Sequence, residues 1–222
     1  VPVFVALAML LVVAGASDMT LDGFVVERGS ADSVSVHAFG AGILLPSGST
    51  NVSVIHCTLR LNRSYFSGAA MYGEESGAST QFSNCRVEGN YSFYSSSTSG
   101  RYGNVHLKGT VAVSDCEFVG NTGCSALYIQ TGTVSDCLFQ ANQANRTSYG
   151  GGFTTTSSGT VTVIRCDFIG NLGGSSGSGN GGGICNYGAS ALHVDSCRFH
   201  GNGANNGGAA WSQSPCDLKN CV

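Results

Sequence analysis

"CDFIGN", residues 166 to 171, is one of six copies of the same phrase. "CRVEGN" starts at Cys85, "CEFVGN" at Cys116, "CLFQAN" at Cys137 and "CRFHGN" at Cys197, with a looser "CTLRLN" at Cys57. With Cys221 the cysteines fall at intervals of 28, 31, 21, 29, 31 and 24 residues. Before them run short alternating stretches, "TVAVSDC" to Cys116, "TVTVIRC" to Cys166 and "ALHVDSC" to Cys197. Alternation of apolar and polar residues marks a half-buried strand. Within the phrase, Cys166 and Phe168 then share one face and Asp167 takes the other, because strand side chains alternate.

No stretch has the 3.6-residue apolar period of a helix, so helical solenoids are excluded. A propeller blade needs about 40 residues, more than these intervals supply. What remains is a coil of short strands stacked on the next coil, an all-β parallel β-helix. Equivalent residues should then stack about 4.8 Å apart. Three columns follow: Cys57 to Cys221; Leu59, Val87, Phe118, Phe139, Phe168 and Phe199; and Asn62, Asn90, Asn121, Asn142, Asn171 and Asn202. Cysteine serves there as a small buried hydrophobe. Asparagine suits a corner because it tolerates left-handed backbone and bonds neighbouring amides. The 21-residue interval is close to a bare coil, and "YSFYSSSTSGRYG" (91–103) and "LGGSSGSGNGG" (172–182) read as loops inserted at one corner.

The totals agree. The chain has 222 residues, 33 glycines and 10% charged residues, against 42% hydrophobic content that excludes a disordered chain. A net charge of −3 argues against a nucleic-acid partner. Ten cysteines are too few for a small disulfide scaffold of this length. The ladder thiols are expected to stay unpaired, since parallel inward vectors do not give the disulfide torsion. Cys124, Cys185 and Cys216 lie outside the ladder and are the better candidates for pairing.

The C-x-F-x-x-N units, alternating with Gly151-Gly152-Phe153, Gly182-Gly183-Ile184 and Gly207-Gly208-Ala209, resemble the repeats of chlamydial polymorphic outer membrane proteins. More broadly they resemble the pectin-lyase-like superfamily, with "MTLDGFVVERG" (19–29) similar to its opening coil. The resemblance spans roughly residues 19–222. It implies a right-handed parallel β-helix and is compatible with adhesins, passenger domains, lyases and hydrolases alike.

Residues 1–18 form a separate apolar segment. It reads either as a secretory signal ending in Ala14-Gly15-Ala16 or as strands of the first coil. Residues 19–222 form the repeat domain, expected to be a segment of a longer protein. Membrane association is expected only through regions outside this segment.

Gly177-x-Gly179-x-x-Gly182 matches a dinucleotide fingerprint only formally, because no helix follows it. No HExxH, GxSxG, Walker A or C-x-x-C pattern occurs, so no cofactor is expected. His56, in an outward column, and His200, within a corner, read as surface residues without a second ligand. Of four N-glycosylation acceptors, Asn51 and Asn145 are favoured over Asn62 and Asn90, which belong to the corner column.

Residues flanking the cysteines carry the candidate chemistry. Strand register gathers Asp115, Glu117, Asp136 and Asp167 on one outer face, with Arg165 among them. Stacked carboxylates repel, raise a pKa or recruit a cation, and calcium accepts such ligands. In outline this resembles calcium-dependent pectate lyases, which implies a Ca²⁺ site at these four acids and Arg165 or Arg198 as base. The competing reading is a solvated face of cross-coil ion pairs. The expected function is an extracellular or cell-surface scaffold, adhesin-like or a passenger domain, in the outer membrane if bacterial. It would bind carbohydrate or a cell-surface protein without catalysis. The alternative is a lyase or glycoside hydrolase acting on acidic polysaccharide.

Overall fold

The computed structural model describes residues 5–7, 11–12, 17–31, 39–73, 79–93, 103–145, 150–156, 159–174, 179–188 and 191–222. Among these every named element is a strand, and every strand pairing is parallel. The chain is an all-β solenoid of stacked coils, as the repeat predicts.

Each coil visits three sheets. The front sheet has eight strands, six of them in the repeated phrases: Thr58–Arg60, Arg86–Glu88, Glu117–Val119, Leu138–Gln140, Asp167–Ile169 and Arg198–His200. A short sheet of five strands follows, from Ser30–Ala31 to Gln143–Ala144. The long sheet closes the coil with two ladders. One contains Ile43–Leu45, Met71–Gly73, Phe153–Thr155 and Ile184–Asn186. The other precedes the cysteines: Val52–Ile55, Ser79–Ser83, Val161–Ile164 and Leu192–Asp195. In two coils the ladders fuse into single strands, Gly103–Ser114 and Ser125–Ser135, with a register shift between Leu107 and Thr110. Elsewhere extra residues separate them, so length differences are absorbed at two places in the coil. The sequence suggested one. The first is after the short sheet, where residues 94–102 and 175–178 of the anticipated inserts lie outside the described residues. The second is between the two ladders of the long sheet.

Strand register fixes the core. Leu59 pairs with Val87, Val87 with Phe118, Phe118 with Phe139, Phe139 with Phe168 and Phe168 with Phe199. The rings of Phe118, Phe139 and Phe168 stack at 4.7 Å centroid separation and those of Phe168 and Phe199 at 5.1 Å. Burying each phenylalanine is worth about 1.5–3 kcal/mol, and each ring pair adds about 0.5–1.5 kcal/mol. The glycine pairs lie where the chain re-enters the long sheet. A Cβ on Gly152 would stand 2.7 Å from the Gly183 carbonyl and 3.1 Å from the Phe168 ring, so no side chain fits there.

Two corners bracket each front strand of the repeated phrases, and both use one device. A residue with left-handed backbone turns the chain, and the next residue joins a buried ladder. At the first corner Asp115, Asp136 and Arg165 have φ of 53°, 54° and 51°, and the cysteine follows. At the second, Gly120, Ala141 and Gly170 have φ of 62°, 53° and 62°, and the asparagine follows. The left-handed residue is therefore the one before the asparagine, not the asparagine as expected from its backbone tolerance. Asparagine occupies its place for its side chain. The Asn121 backbone N–H and Nδ2 both donate to Asn142 Oδ1 at 3.0 Å, and Nδ2 also donates to the Val87 carbonyl at 2.9 Å.

The cysteine ladder does the same with sulfur. The Cys57, Cys85 and Cys166 N–H groups donate to the Sγ of the next coil's cysteine at 3.4 Å. Each thiol in turn donates to the carbonyl two residues back, as Cys166 does to Ile164 at 3.3 Å. Cysteine is thus more than a small hydrophobe here. All ten cysteines are free, including Cys124, Cys185 and Cys216. The hydrogen-bonded thiol of the preceding coil, together with burial, pushes the Cys137, Cys166 and Cys197 thiols up.

At the start of the chain, Val5–Leu7 pairs with Val25–Glu27 and Leu11–Val12 pairs with Ile43–Leu45. The remainder of residues 1–16, with the small-residue pattern at 14–16, lies outside the described residues. Among the described residues no helix is long and apolar enough to cross a membrane, which says nothing of β-barrels.

Candidate functional site

The candidate carboxylates divide between two surfaces. Asp115 and Asp136 stand on the left-handed corner, as does Arg165. Glu117 and Asp167 stand on the outer face of the front sheet, in Glu117–Val119 and Asp167–Ile169. Simple strand alternation put all of them on one face. It fails because the corner residue is not in a strand. His56 takes the same corner position, whereas His200 belongs to the front strand and not to a corner.

Charges at equivalent positions pair from coil to coil. Arg165 Nε and Nη2 donate to the two carboxylate oxygens of Asp136, each at 2.7 Å. Arg198 does the same to Asp167 at 3.0 and 2.7 Å. Arg86 bonds Glu117 across the coil and Glu88 within its own strand. Arg60 Nε reaches Glu27 Oε2 at 2.5 Å, and His56 Nδ1 lies 2.9 Å from Asp22 Oδ1. The bidentate fork is the geometry that a guanidinium and a carboxylate favour.

The protonation consequences follow. The Arg165 hydrogen bonds hold the Asp136 carboxyl below the usual carboxylate range, and Asp136 pushes the Arg165 guanidinium further up. Arg86 likewise lowers Glu88. Among the described residues no three His, Cys, Asp or Glu side chains converge as a metal ion would require. Over three successive coils, at the front strands Thr58–Arg60, Arg86–Glu88 and Glu117–Val119, lies a shallow depression of about 330 Å³. It is lined by His56, Thr58, Asn84, Arg86, Asp115 and Glu117. Asn62 and Asn90 are buried in the ladder, whereas Asn51 is exposed and its Nδ2 donates to Asp18 Oδ1 at 2.9 Å. Asn145 Nδ2 donates to the Phe93 carbonyl at 3.4 Å.

A right-handed β-helix is also what the family comparison finds: the family described as "Right handed beta helix region" matches residues 12–199. The chain belongs to this family. No curated protein and no solved structure matches it. Members of the family share the coil, so the match accounts for the ladders and corners and assigns no ligand or reaction to the outer faces.

The outer face of the ladder before the cysteines was missed by reasoning that followed charge. Its central row is Ser53, Gln81, Ala112, Thr133 and Thr162, in register from coil to coil. A second row lies two residues later, from Ile55 through Ser83, Ser114 and Ser135 to Ile164. A third starts at Ser79 and runs through Thr110 to Thr131. Thr131 Oγ1 donates to the Thr160 carbonyl at 3.0 Å, which extends this row by one coil. None of these positions carries a charge or an aromatic ring. The signal was present in the sequence: each central-row residue lies four positions before a ladder cysteine.

Proposed function

We propose that this β-helix is a binding scaffold of an extracellular or cell-surface protein and holds its ligand without cleaving it. The observation that supports this is the matched Asp136–Arg165 pair. A guanidinium that donates both ends of its fork to a carboxylate, and is held more firmly protonated by it, is poorly placed to accept a proton from a sugar ring. Asp167 is engaged in the same way by Arg198. The resemblance of the repeats to chlamydial polymorphic outer membrane proteins supports a surface or passenger role. Carbohydrate or a surface protein is the partner class. Neither a cofactor nor nucleic acid is part of this reading, and attachment to a membrane would come from regions outside the segment.

The depression over Asp115 and Glu117 supports a second reading, a lyase or hydrolase of acidic polysaccharide within the pectin-lyase-like superfamily. One experiment separates the two. Wild type and Asp136→Ala are incubated with polygalacturonate and calcium, following chain cleavage and the heat of calcium binding. The scaffold reading expects neither cleavage nor calcium heat from either protein. Turnover by wild type that is lost in Asp136→Ala would overturn it.

A further inference from the structure

We propose that His106 is an acid-operated latch. Neutral, it completes a stack of rings on the outer face of the long sheet. Protonated, it opens that stack and bares the rings. The latch goes beyond the scaffold reading and does not depend on it.

The rings stand where the sheet should be wet. Met71, Val105 and Leu127 pair in register and point into the core. Their successors Tyr72, His106 and Tyr128 pair as well, and strand alternation turns them outward. Yet these three are only 5%, 2% and 4% exposed.

The His106 ring lies between those of Tyr72 and Tyr128, at centroid separations of 5.0 and 4.2 Å and interplanar angles of 26° and 15°. Phe39 extends the stack beyond Tyr72 at 4.6 Å, and Phe66 extends it beyond Phe39 at 5.2 Å. Phe39 and Phe66 do not belong to the sheet. Each stands in a segment that enters it, just before a left-handed glycine, Gly40 or Gly68. These segments bond onward to the next coil. The Gly40 N–H donates to the Ser67 carbonyl at 3.3 Å, and the Gly68 N–H to the Gly103 carbonyl at 2.8 Å. The stack therefore ties two entering segments to the sheet. Of its five rings, only His106 gains a charge in acid.

The site opposes that charge. Cation–π attraction to the two tyrosines favours the imidazolium, but taking an ion out of water costs more. Among the described residues, Tyr72 and Tyr128 are the titratable side chains stacked on the ring, and a phenol supplies no counter-charge in acid. Lys108, two residues on along the same strand, adds a like charge. Burial first, and Lys108 second, push the imidazole down from the ordinary 6.5 to about 3. A base depressed on folding contributes stability that is fully present above pH 6.5 and is lost as pH falls from there through about 3. Any opening that wets His106 should become about tenfold more favourable per pH unit across this window. The carboxyls lowered by their partners, Glu88, Asp136, Asp195 and Asp217, start from ordinary values of 4.5 and 3.8 and act further down.

The test is hydrogen–deuterium exchange of the chain between pH 7.5 and 5, read by mass spectrometry and corrected for the intrinsic pH dependence of exchange. Wild type is compared with His106→Phe, which keeps a ring in the stack and cannot titrate. A control, His193→Gln, removes an exposed imidazole. Peptides covering 39–42 and 66–70 should lose about thirtyfold in protection between pH 6.5 and 5 in wild type and in the control. They should not change in His106→Phe. Peptides covering 116–121, in the cysteine and asparagine ladders, should keep their protection throughout. An equal loss in His106→Phe overturns the latch, and so does no loss in wild type or a loss abolished by His193→Gln. A loss that spreads to 116–121 also overturns it, because the histidine would then govern the whole solenoid and not one face. If circular dichroism shows that His106→Phe does not fold, exchange of the carbon-bound imidazole hydrogen in wild type decides. His106 should then show a half-point below about pH 5, and a half-point near the ordinary 6.5 overturns the proposal.

Discussion

The two corners of the coil solve one problem with different atoms. At each, a left-handed residue turns the backbone, and the next N–H must find an acceptor inside the stack. At the asparagine corner that acceptor is an amide oxygen, and the same side chain donates twice more: Asn121 bonds Asn142 and the Val87 carbonyl. At the cysteine corner the acceptor is a sulfur at 3.4 Å, a weak partner, and the thiol makes a local bond to the strand behind it. The turning residues differ too. Glycine dominates before the asparagines, with Gly89, Gly120, Gly170 and Gly201, and only Leu61 and Ala141 carry side chains at that edge. Before the cysteines stand His56, Asn84, Asp115, Asp136, Arg165, Ser196 and Asn220, all with positive φ. Left-handed backbone costs a non-glycine residue about 1–2 kcal/mol. Asparagine and aspartate bear it best, and a corner that tolerates this strain seven times over presents side chains outward. The asparagine corner therefore supplies hold, and the cysteine corner supplies display.

Three measurements sharpen or break this contrast. The largest effect should come from Asn121→Ala. It leaves the Asn90 N–H, the Asn90 amide and the Val87 carbonyl without their partner in a dry interior. A loss of about 3–5 kcal/mol in urea unfolding is expected. A loss below about 1 kcal/mol would mean that the amide ladder contributes no more than ordinary hydrogen bonds.

A middle effect belongs to the thiols. Cys166→Ala should cost about 1–2 kcal/mol, since it removes a small buried group and the weak thiol donor to the Ile164 carbonyl. The ladder also gives an alkaline signature. Cys137, Cys166 and Cys197 are pushed above the ordinary thiol value of 9.0 in the folded chain. Groups raised on folding contribute stability that is fully present below the unfolded value and is lost as pH rises through the folded one. Unfolding midpoints should then hold up to about pH 8.5 and fall above it. Cys166→Ala should flatten that slope. A slope unchanged in the mutant would place the alkaline sensitivity elsewhere.

The smallest effect tests the turning residue alone. Gly170 has φ of 62° and open space where a Cβ would stand, so Gly170→Ala should cost about 1 kcal/mol from backbone conformation only. Ala141 holds the same corner at φ of 53°, and Ala141→Gly should gain a similar amount. Thermal melts of the two variants should move in opposite directions. Movement in the same direction would show that the corner is set by something other than φ.

The ladders were legible because each needs one residue type at one offset. Cysteine, phenylalanine and asparagine recur at fixed positions within the six-residue phrase whatever the interval between phrases. The candidate acids were only half legible. Asp167 and Glu117 follow the strand alternation, whereas Asp115, Asp136 and Arg165 do not, because a left-handed residue resets which way the side chain points. The inserts were legible as polar, glycine-rich tracts, but a tract's composition does not say where in the coil it leaves.

The sequence by itself therefore determined the all-β class, the stacking of coils, the identity of the three inward columns and the free state expected of the ladder thiols. These follow from periodicity and from the chemistry of single residue types. The tertiary structure decided which charges meet. Arg165 and Asp136 are 29 residues apart, and Arg198 and Asp167 are 31 apart. Only the pitch of the coil brings each pair within hydrogen-bond distance. It also decided that the serines and threonines between Ser53 and Ile164 share one plane, in rows that run on to Asp22 at one end and to His193 and Asp195 at the other. That plane exists because parallel strands in register add their outward side chains across coils of unequal length, a sum over the stack that no single repeat contains.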